Sequence, residues 1–285
     1  MRKNNSIFII FSFLVFLNIF AWIIVYDLNK PRFLEVSFFD VGQGDAIFIK
    51  TPQRHQILID GGPDSTILEK LGQEMPFWDR SIDMIILSHP EHDHMAGLIE
   101  VLKRYEINYI LWTGIKRDTA EYEEWEKLIK EEKAKIIIAK VGQRIKLTEN
   151  IYLDIFYPFD NLEDQEVKNT NDTSIINLLA FAQHSFLFTG DIDKSVEKEL
   201  IEKNVDLTAD ILKISHHGSK TSTSKEFIEK ISPEITVISA GRDNKYGHPH
   251  QEVLERLENY GIRILRTDLD GDIKIISDGI NYKIQ

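Results

Sequence analysis

Short apolar runs of strand length recur along the chain, separated by turn residues and by amphipathic stretches. Period-two and period-3.6 patterns predict strands at 33–39, 46–49, 56–59, 82–87, 109–112, 135–139, 151–157, 175–179, 185–188, 209–214, 235–239, 263–266 and 272–276. The same patterns predict helices at 98–105, 120–132, 194–203, 224–231 and 252–260. Two similar halves, each with strands before helices, favour a single domain in which two packed sheets carry helices outside.

The N-terminal stretch differs from this pattern because residues 7–26 are almost entirely apolar. Twenty such residues can span a bilayer as a helix, and Arg2 and Lys3 ahead of them favour a cytoplasmic N-terminus. We predict a cytoplasmic tip and signal-anchor transmembrane helix at 1–30, with one folded domain at 31–285 outside the cytoplasmic membrane. A cleaved signal peptide is the alternative, although the stretch lacks a clear small-x-small site.

Composition limits the kinds of binding surface and active site that the chain can carry. The 285 residues carry a net charge of −12 and include 42% hydrophobic residues, as in an ordinary globular protein. The negative charge argues against broad capture of nucleic acid by the whole surface. The absence of cysteine excludes disulfides, thiolate ligands and a cysteine nucleophile, so any metal ligand must be nitrogen or oxygen.

The segment Ser88-His89-Pro90-Glu91-His92-Asp93-His94 places three imidazoles and two carboxylates directly after a strand-like apolar run. These are the ligand types that suit zinc, manganese or iron, and a turn after a strand can direct several of them to one point. A histidine-rich surface turn is the alternative. The apolar stretches on both sides of the segment make that alternative less favoured, so the segment indicates a metal site.

Seven of the nine histidines fall into three short clusters: His89, His92 and His94; His216 and His217; His248 and His250. Each cluster follows an apolar run, so one end of a layered sheet could bring all three to one cleft. Asp191 also follows a strand and could bridge two cations. His55 and His184 stand alone, and we expect both at the surface.

Seven motifs together resemble the metallo-β-lactamase superfamily, and within it the hydrolase domain of the ComEC-like competence proteins. They span nearly all of residues 33–280 and read Phe39-Asp40-Val41-Gly42-Gln43-Gly44-Asp45-Ala46, Leu58-Ile59-Asp60-Gly61-Gly62, the 88–94 segment, Asn171-Asp172-Thr173-Ser174, Phe188-Thr189-Gly190-Asp191, Lys213-Ile214-Ser215-His216-His217-Gly218-Ser219 and Tyr246-Gly247-His248-Pro249-His250. The resemblance implies an α+β fold, a four-layer αββα sandwich, with metal at the strand ends and hydrolysis by a metal-bound hydroxide.

The resemblance also implies a ligand set: His89, Glu91, Asp93, His94, Asp191 and His217. Glu91 stands where the wider superfamily usually has histidine, and Asn171-Asp172-Thr173-Ser174 stands where its third motif supplies another. The implied cofactor is one or two divalent ions, Zn²⁺ or Mn²⁺, with one site poorer in donors. His92 is implied to point away.

Further roles come from the same resemblance. Asp93, Lys220 and His248 are implied to act in catalysis, although a lysine in such a loop is more often just solvated. The residues implied to bind substrate or to support the ligands are Asp60, Asn171, Asp172, Ser174, His216, Ser219 and Tyr246. Gly42-Gln43-Gly44 lies between two predicted strands, so we interpret it as a hairpin rather than a phosphate-binding loop.

The leading hypothesis is a metal-dependent phosphodiesterase or nuclease that acts on DNA and is linked to DNA uptake. One predicted membrane span cannot conduct DNA, so a separate channel protein would be needed. An envelope esterase for a phosphocholine ester, lactone or other small ester is the alternative, and a metal-stabilised binding protein ranks last. The substrate, the metal, the number of ions and the oligomeric state stay open, since one fold hosts many reactions.

Overall fold

The computed structural model describes residues 2–28 and 32–285, without the side chains of residues 2–6, 24 and 26–28. It separates into two compact units, Met1–Arg32 and Phe33–Gln285. The first unit contains helix α1 (Arg2–Leu28), whose described apolar side chains are exposed.

Within the described part of the chain, no helix combines the length and the apolar character required to cross a membrane. The anchor predicted at residues 7–26 is therefore not confirmed. Residues 24 and 26 of that stretch lie outside the described side chains.

The second unit contains fifteen strands, seven α-helices and two short 3-10 helices, Asn171–Thr173 and Ser215–Gly218. The strands are β1 (Leu34–Phe38), β2 (Ile47–Lys50), β3 (Gln56–Ile59), β4 (Ser81–Ile86), β5 (Glu106–Trp112), β6 (Lys135–Ile138), β7 (Arg144–Lys146), β8 (Ile151–Tyr157), β9 (Ile176–Phe181), β10 (His184–Phe188), β11 (Ile211–Lys213), β12 (Ile235–Ile238), β13 (Arg263–Arg266), β14 (Ile273–Ser277) and β15 (Tyr282–Ile284). The helices are α2 (Thr66–Glu74), α3 (His92–Leu102), α4 (Ala120–Glu131), α5 (Lys194–Glu202), α6 (Lys225–Ile231), α7 (Gln251–Asn259) and α8 (Thr267–Asp270).

The strands form two sheets. The first has the order β15-β14-β1-β2-β3-β4-β5-β6 and is parallel from β3 to β6; the second has the order β13-β12-β11-β10-β9-β8-β7 and is parallel from β10 to β13. Each sheet thus joins an antiparallel half to a parallel half. The parallel strands end on the side from which the histidine-rich loops emerge.

Alternation along the strands divides the apolar side chains between two faces of each sheet. One face of each sheet packs against the other sheet, as with Phe38 and Phe188, whose ring centres lie 6.2 Å apart. On the opposite face of the first sheet, Phe48 packs with α2, α3 and α4. On the opposite face of the second sheet, Leu212 packs with α5, α6 and α7. The four-layer αββα sandwich expected from the sequence is confirmed.

The structure corrects several sequence-based expectations. Helix α3 begins at His92, six residues before the predicted start, because the end of the histidine-rich segment itself forms the first helical turn. His184 was expected at the surface, which is wrong. It begins β10, is buried, and its Nδ1 lies 2.6 Å from Ser277 Oγ. His55 is exposed, as expected.

Two glycines allow α3 to pack directly against the backbone that follows β3. A Cβ atom on Gly97 would lie 1.8 Å from the carbonyl oxygen of Gly61, and a Cβ atom on Gly61 would lie 2.4 Å from the nitrogen of Leu98. The Gly61 N–H donates to the carbonyl of His94 at 2.8 Å. This close approach brings the residue after β3 next to the first turn of α3.

We expect Gly97→Ala to destabilise the fold by about 1–3 kcal/mol, because the added methyl group forces the two backbones apart. Gly72→Ala in the exposed part of α2 is the matched control, since no heavy atom lies within 4 Å of its Cβ position. That control is expected to be neutral or to stabilise by about 0.5–1 kcal/mol. Chemical denaturation measures both, and equal stability of Gly97→Ala and the wild type would contradict the packing argument.

Candidate metal centre

Four side chains converge where strands of both sheets end. Asp93 and His94 come from the first turn of α3, Asp191 follows β10 and His217 follows β11, and one ligand atom from each lies within 4.8 Å of the others. His94 Nε2 and His217 Nε2 lie 3.3 Å and 3.2 Å from the same oxygen of Asp191. His217 Nε2 also lies 3.3 Å from Asp93 Oδ2. We call these four residues the four-donor cluster.

Hydrogen bonds at Nδ1 orient both imidazoles of the cluster. His94 Nδ1 donates to Asp60 Oδ2 at 2.8 Å, and His217 Nδ1 donates to the carbonyl oxygen of Ser239 at 2.9 Å. With Nδ1 engaged as a donor, Nε2 of each ring is directed to the cluster and is the nitrogen that could bind a metal.

Asp60 supports two ligand loops at once. Its carboxylate accepts from the Ser88 N–H at 2.8 Å and from the Ser88 hydroxyl at 2.6 Å, in addition to His94. Burial raises the pKa of Asp60, and the nearby His94 opposes that rise. The contacts are those that the resemblance implies for a residue that holds ligands in place.

His89 lies beside the four-donor cluster, next to His94. Its Nδ1 lies 3.0 Å from the Ser88 hydroxyl, and its ring centre lies 4.2 Å from that of His94. Burial and the charge of His94 lower the pKa of His89 to about 3. The ring is therefore neutral and can offer Nε2 as a ligand.

The imidazoles and carboxylates of the cluster shift one another's pKa values strongly. Burial alone would lower the pKa values of His94 and His217, but Asp191 beside them raises both well above the usual histidine range. Burial would raise the pKa values of Asp191 and Asp93, yet the same two imidazoles hold both well below the usual carboxyl range. In this form the imidazoles carry the protons that a cation would replace.

The donor set fits a divalent cation. Among the described residues, the buried atoms at the site that have no hydrogen-bond partner include His89 Nε2, His94 Nε2, His217 Nε2 and Asp191 Oδ1. Buried polar atoms are nearly always paired in proteins, so their convergence requires an explanation. Imidazole nitrogens and carboxylate oxygens are ligands for zinc or manganese.

Glu91 lies apart from the cluster. Arg117 Nη2 is 3.0 Å from its Oε1, and the Thr170 hydroxyl donates to the same oxygen. Its role as a ligand stays a prediction. His92 points outward, as the resemblance implies, and its Nδ1 lies 2.6 Å from Glu121 Oε1.

The Asn171–Thr173 turn lies next to Asp191 rather than supplying a ligand. The Ser174 hydroxyl donates to the carbonyl of Asn171 at 2.7 Å and accepts from the Asp191 N–H at 3.0 Å. Asp172 accepts from the N–H of Asp193 at 3.3 Å. These contacts fix the loop that carries Asp191.

His216 and His217 occupy opposite sides of one tight turn. Both have positive φ angles, 50° and 53°, which are uncommon for residues other than glycine. The turn directs His217 inward, whereas His216 Nδ1 lies 3.4 Å from Asp193 and its Nε2 lies 3.4 Å from the Asn171 amide. The Ser219 N–H closes the turn on the carbonyl of His216 at 2.8 Å.

The remaining predicted residues lie at the rim. The His248 ring stacks at 6.3 Å from His217 and at 5.7 Å from the exposed Tyr246. Burial and the charge of His217 lower the pKa of His248 to about 4. Lys220 is exposed, and its N–H donates to His250 Nδ1 at 3.2 Å.

Sequence reasoning missed a buried ion pair behind the cluster. Lys213 at the end of β11 pairs with Asp45 of the β1–β2 loop, so the pair joins the two sheets. Burial raises the pKa of Asp45, but the charges of Lys213 and His217 outweigh it and hold the pKa at about 2. A lysine inside the apolar run 211–214 was the available signal, because buried lysine is almost always paired.

Comparison with known proteins agrees with this geometry. The family model of the metallo-beta-lactamase superfamily matches residues 39–242, a range that includes the whole four-donor cluster. The chain belongs to the metallo-β-lactamase superfamily. Membership makes it a metallo-hydrolase by fold and by ligand type, with divalent metal as the cofactor class.

Within the superfamily, the chain is similar to two longer curated proteins, one of which is named a competence protein. The chain is 33% identical over 260 residues to ComE operon protein 3 of Bacillus subtilis and 31% identical over 246 residues to the competence protein ComA of Neisseria gonorrhoeae. Each match covers 84% of this chain but only 32% of the relative. The chain therefore spans about a third of the length of these relatives.

Solved metallo-β-lactamase structures agree on the fold. The YhfI protein of Bacillus subtilis gives a TM-score of 0.52 at 14% identity and covers 82% of this chain and 96% of its own. The metallo hydrolase Igni18 of Ignicoccus hospitalis gives 0.54 at 14% identity and covers 84% and 98%. At this identity the likeness concerns the fold alone.

The raised histidine pKa values predict a pH-dependent stability for the metal-free protein. His94 and His217 titrate above the unfolded value of about 6.5, so their pairing with Asp191 stabilises fully below that pH and is lost as pH rises through the raised values. We expect the unfolding temperature of chelator-treated protein to fall above about pH 6.5. Saturating metal should weaken this dependence, because the cation replaces the protons.

Thermal unfolding across pH, with and without chelator, measures the effect. Asp191→Asn is the informative variant, since it removes the charge that raises both histidine pKa values. Its profile should be flatter than that of the wild type. A wild-type profile without slope above pH 6.5, or the same slope in Asp191→Asn, would contradict the assignment of charge within the cluster.

Proposed function

We propose that the chain is a metal-dependent phosphodiesterase that hydrolyses DNA. The observation that carries the hydrolytic part is the four-donor cluster with its unpartnered, oriented imidazole nitrogens. DNA as the substrate is supported by the names of two similar proteins, the competence protein ComA and ComE operon protein 3. A function in DNA uptake is part of the same proposal.

A bound divalent cation would lower the pKa of a water molecule towards neutrality and polarise a phosphoryl oxygen. His94, His217, Asp93 and Asp191 would hold it, each fixed by the contacts described above. Asp93 is half-buried, with 29% of its side chain exposed. Its Oδ1, which lies 4.0 Å from His94 Nε2, can therefore also orient a water molecule at the open side of the cluster.

His248 is suited to contact a substrate at the rim. Because its pKa is lowered to about 4, its ring is neutral near pH 7 and can donate a hydrogen bond to a phosphate oxygen. Among the described residues, its buried Nδ1 has no hydrogen-bond partner. The exposed Lys220 and the hydroxyl of Ser219 offer a cation and a donor to a phosphate at the same rim.

A small ester, such as a phosphocholine ester, is the second candidate. The observation that favours it is the net charge of −12, which opposes binding of a long polyanion over the whole surface. A DNA substrate would have to rely on the local cations of the cleft. The two candidates therefore differ in substrate length rather than in the chemistry of the metal centre.

The location is a further proposal: the domain lies outside the cytoplasmic membrane, held by the apolar sequence stretch of residues 7–26. Arg2 and Lys3 before the apolar stretch support it, as do the exposed side chains of Phe8 and Trp22. DNA transport would be the task of a separate channel protein. Cell fractionation should place the full chain with membranes and a chain without residues 1–28 in the soluble fraction; full-length protein in the soluble fraction would contradict the proposal.

Hydrolysis assays of the purified full chain test the function. Labelled single- and double-stranded DNA and a phosphocholine ester are compared with Mn²⁺, with Zn²⁺ and with chelator. We expect DNA cleavage only with metal. His217→Ala removes a proposed ligand and is expected to lower the hydrolysis rate by more than about 100-fold. This exceeds the loss of about 10–100-fold that follows removal of a group that only supports a ligand.

His55→Ala is the matched control, because His55 is exposed and belongs to the β2–β3 turn. It should retain full activity. Ester turnover with intact DNA would favour the second candidate. Bound metal without turnover of either substrate would contradict the proposed substrate class.

A further inference from the structure

An aromatic stack extends outward from the four-donor cluster to the surface. The ring of His248 lies 6.3 Å from that of His217, at an interplanar angle of 29°. The ring of Tyr246 lies 5.7 Å from that of His248, at an angle of 22°. Tyr246, at the outer end of the stack, is 53% exposed. An aromatic ring is thus open to solvent two ring contacts away from a candidate metal ligand.

The loop that carries the outer ring is held by Asn244. The amide nitrogen of its side chain donates to the carbonyl oxygens of Gly241 and His248 at 2.9 Å and 2.6 Å. The side-chain oxygen accepts from the N–H groups of Tyr246 and His248 at 3.2 Å and 3.0 Å. Gly247, between the two rings, has a φ angle of 71°, which favours glycine. The loop therefore presents the Tyr246 ring in a defined position.

The chemistry of this surface fits a flat, neutral ring better than a cation. Lys245 is exposed, and its Nζ lies 5.0 Å from the centre of the Tyr246 ring. A quaternary ammonium such as choline would meet a like charge there. A nucleobase is neutral, its π face stacks on tyrosine, and the lysine can pair with a phosphate of the same strand. The surface beside the cluster thus favours DNA over a phosphocholine ester.

A base that stacks on Tyr246 must be unpaired. In a duplex each base is paired along its edge and stacked between its neighbours, so a side chain reaches its face only when the base leaves the helix. A single strand offers its bases without that cost, and proteins that bind single strands combine aromatic side chains with a positively charged groove. Tyr246 and Lys245 provide one of each.

We infer that Tyr246 is a specificity-determining residue that stacks an unpaired nucleobase beside the phosphodiester at the metal centre, with Lys245 next to a phosphate of the same strand. The inference rests on the proposed function and narrows its substrate to single-stranded DNA.

Two single strands of equal length and charge test the inference: oligothymidylate, and an abasic chain with the same sugars and phosphates but no bases. The full chain hydrolyses each with Mn²⁺. We expect kcat/KM to be about 5- to 150-fold higher for oligothymidylate, which is the effect of one base stacked on an aromatic ring. Tyr246→Ala should bring this ratio close to one by slowing cleavage of oligothymidylate. Tyr246→Phe keeps the ring and should keep the ratio.

Binding to the metal-free protein gives a readout without turnover. Fluorescence anisotropy of labelled oligothymidylate should show a Kd that is about 5- to 150-fold weaker for Tyr246→Ala. Lys245→Met should reduce the slope of log Kd against log salt concentration by about 0.7, the value for one phosphate contact on a single strand. Tyr260→Ala is the matched control, because Tyr260 is exposed at the C-cap of α7. It should change neither quantity.

The outcomes separate this inference from the proposed function. Equal kcat/KM for the two strands in the wild type, or an unchanged ratio in Tyr246→Ala, would overturn the inference alone. An unchanged salt slope in Lys245→Met would overturn the part assigned to the lysine. Absence of cleavage of both strands by metal-loaded wild-type protein would overturn the inference together with the proposed function.

Discussion

Compensation of buried charge at the strand ends is the constraint on which the rest of the structure depends. Asp191 is fully buried and is tolerated there because His94 and His217 approach one of its oxygens from two different sheets. An ionised carboxylate without such partners would be too costly to bury. The site can form only if both sheets end at the same place, so the candidate metal centre depends on the fold.

The same constraint acts one layer deeper. Asp45 and Lys213 neutralise each other behind the imidazoles, and Asp45 Oδ1 lies 3.4 Å from His217 Nδ1. The Asp45 N–H also donates to the carbonyl of Asp93 at 3.2 Å, which connects this pair to the first turn of α3. Such connected networks specify one arrangement of the loops, because each partner leaves another unpaired when it moves.

The sequence predicts the layers well and the charge network poorly. Alternating apolar residues indicate β3, β8 and β13 to the residue, because one face of each strand must be buried. Motif position also places His217 inside the site and His92 outside it. The pairing of Arg117 with Glu91 joins residues from separate loops, and no local pattern reports which distant side chains meet. The prediction for His184 was wrong for a related reason. Its partner Ser277 belongs to β14, which is distant along the chain.

The central claim is that the four-donor cluster binds a divalent cation. Anomalous diffraction at the zinc absorption edge, from crystals of the full chain grown with Zn²⁺, measures this directly. We expect a strong peak at about 2.0–2.2 Å from His94 Nε2, His217 Nε2 and a carboxylate oxygen of Asp191. A zinc-saturated crystal with no peak at this point, or with its only strong peak among other residues, would contradict the account.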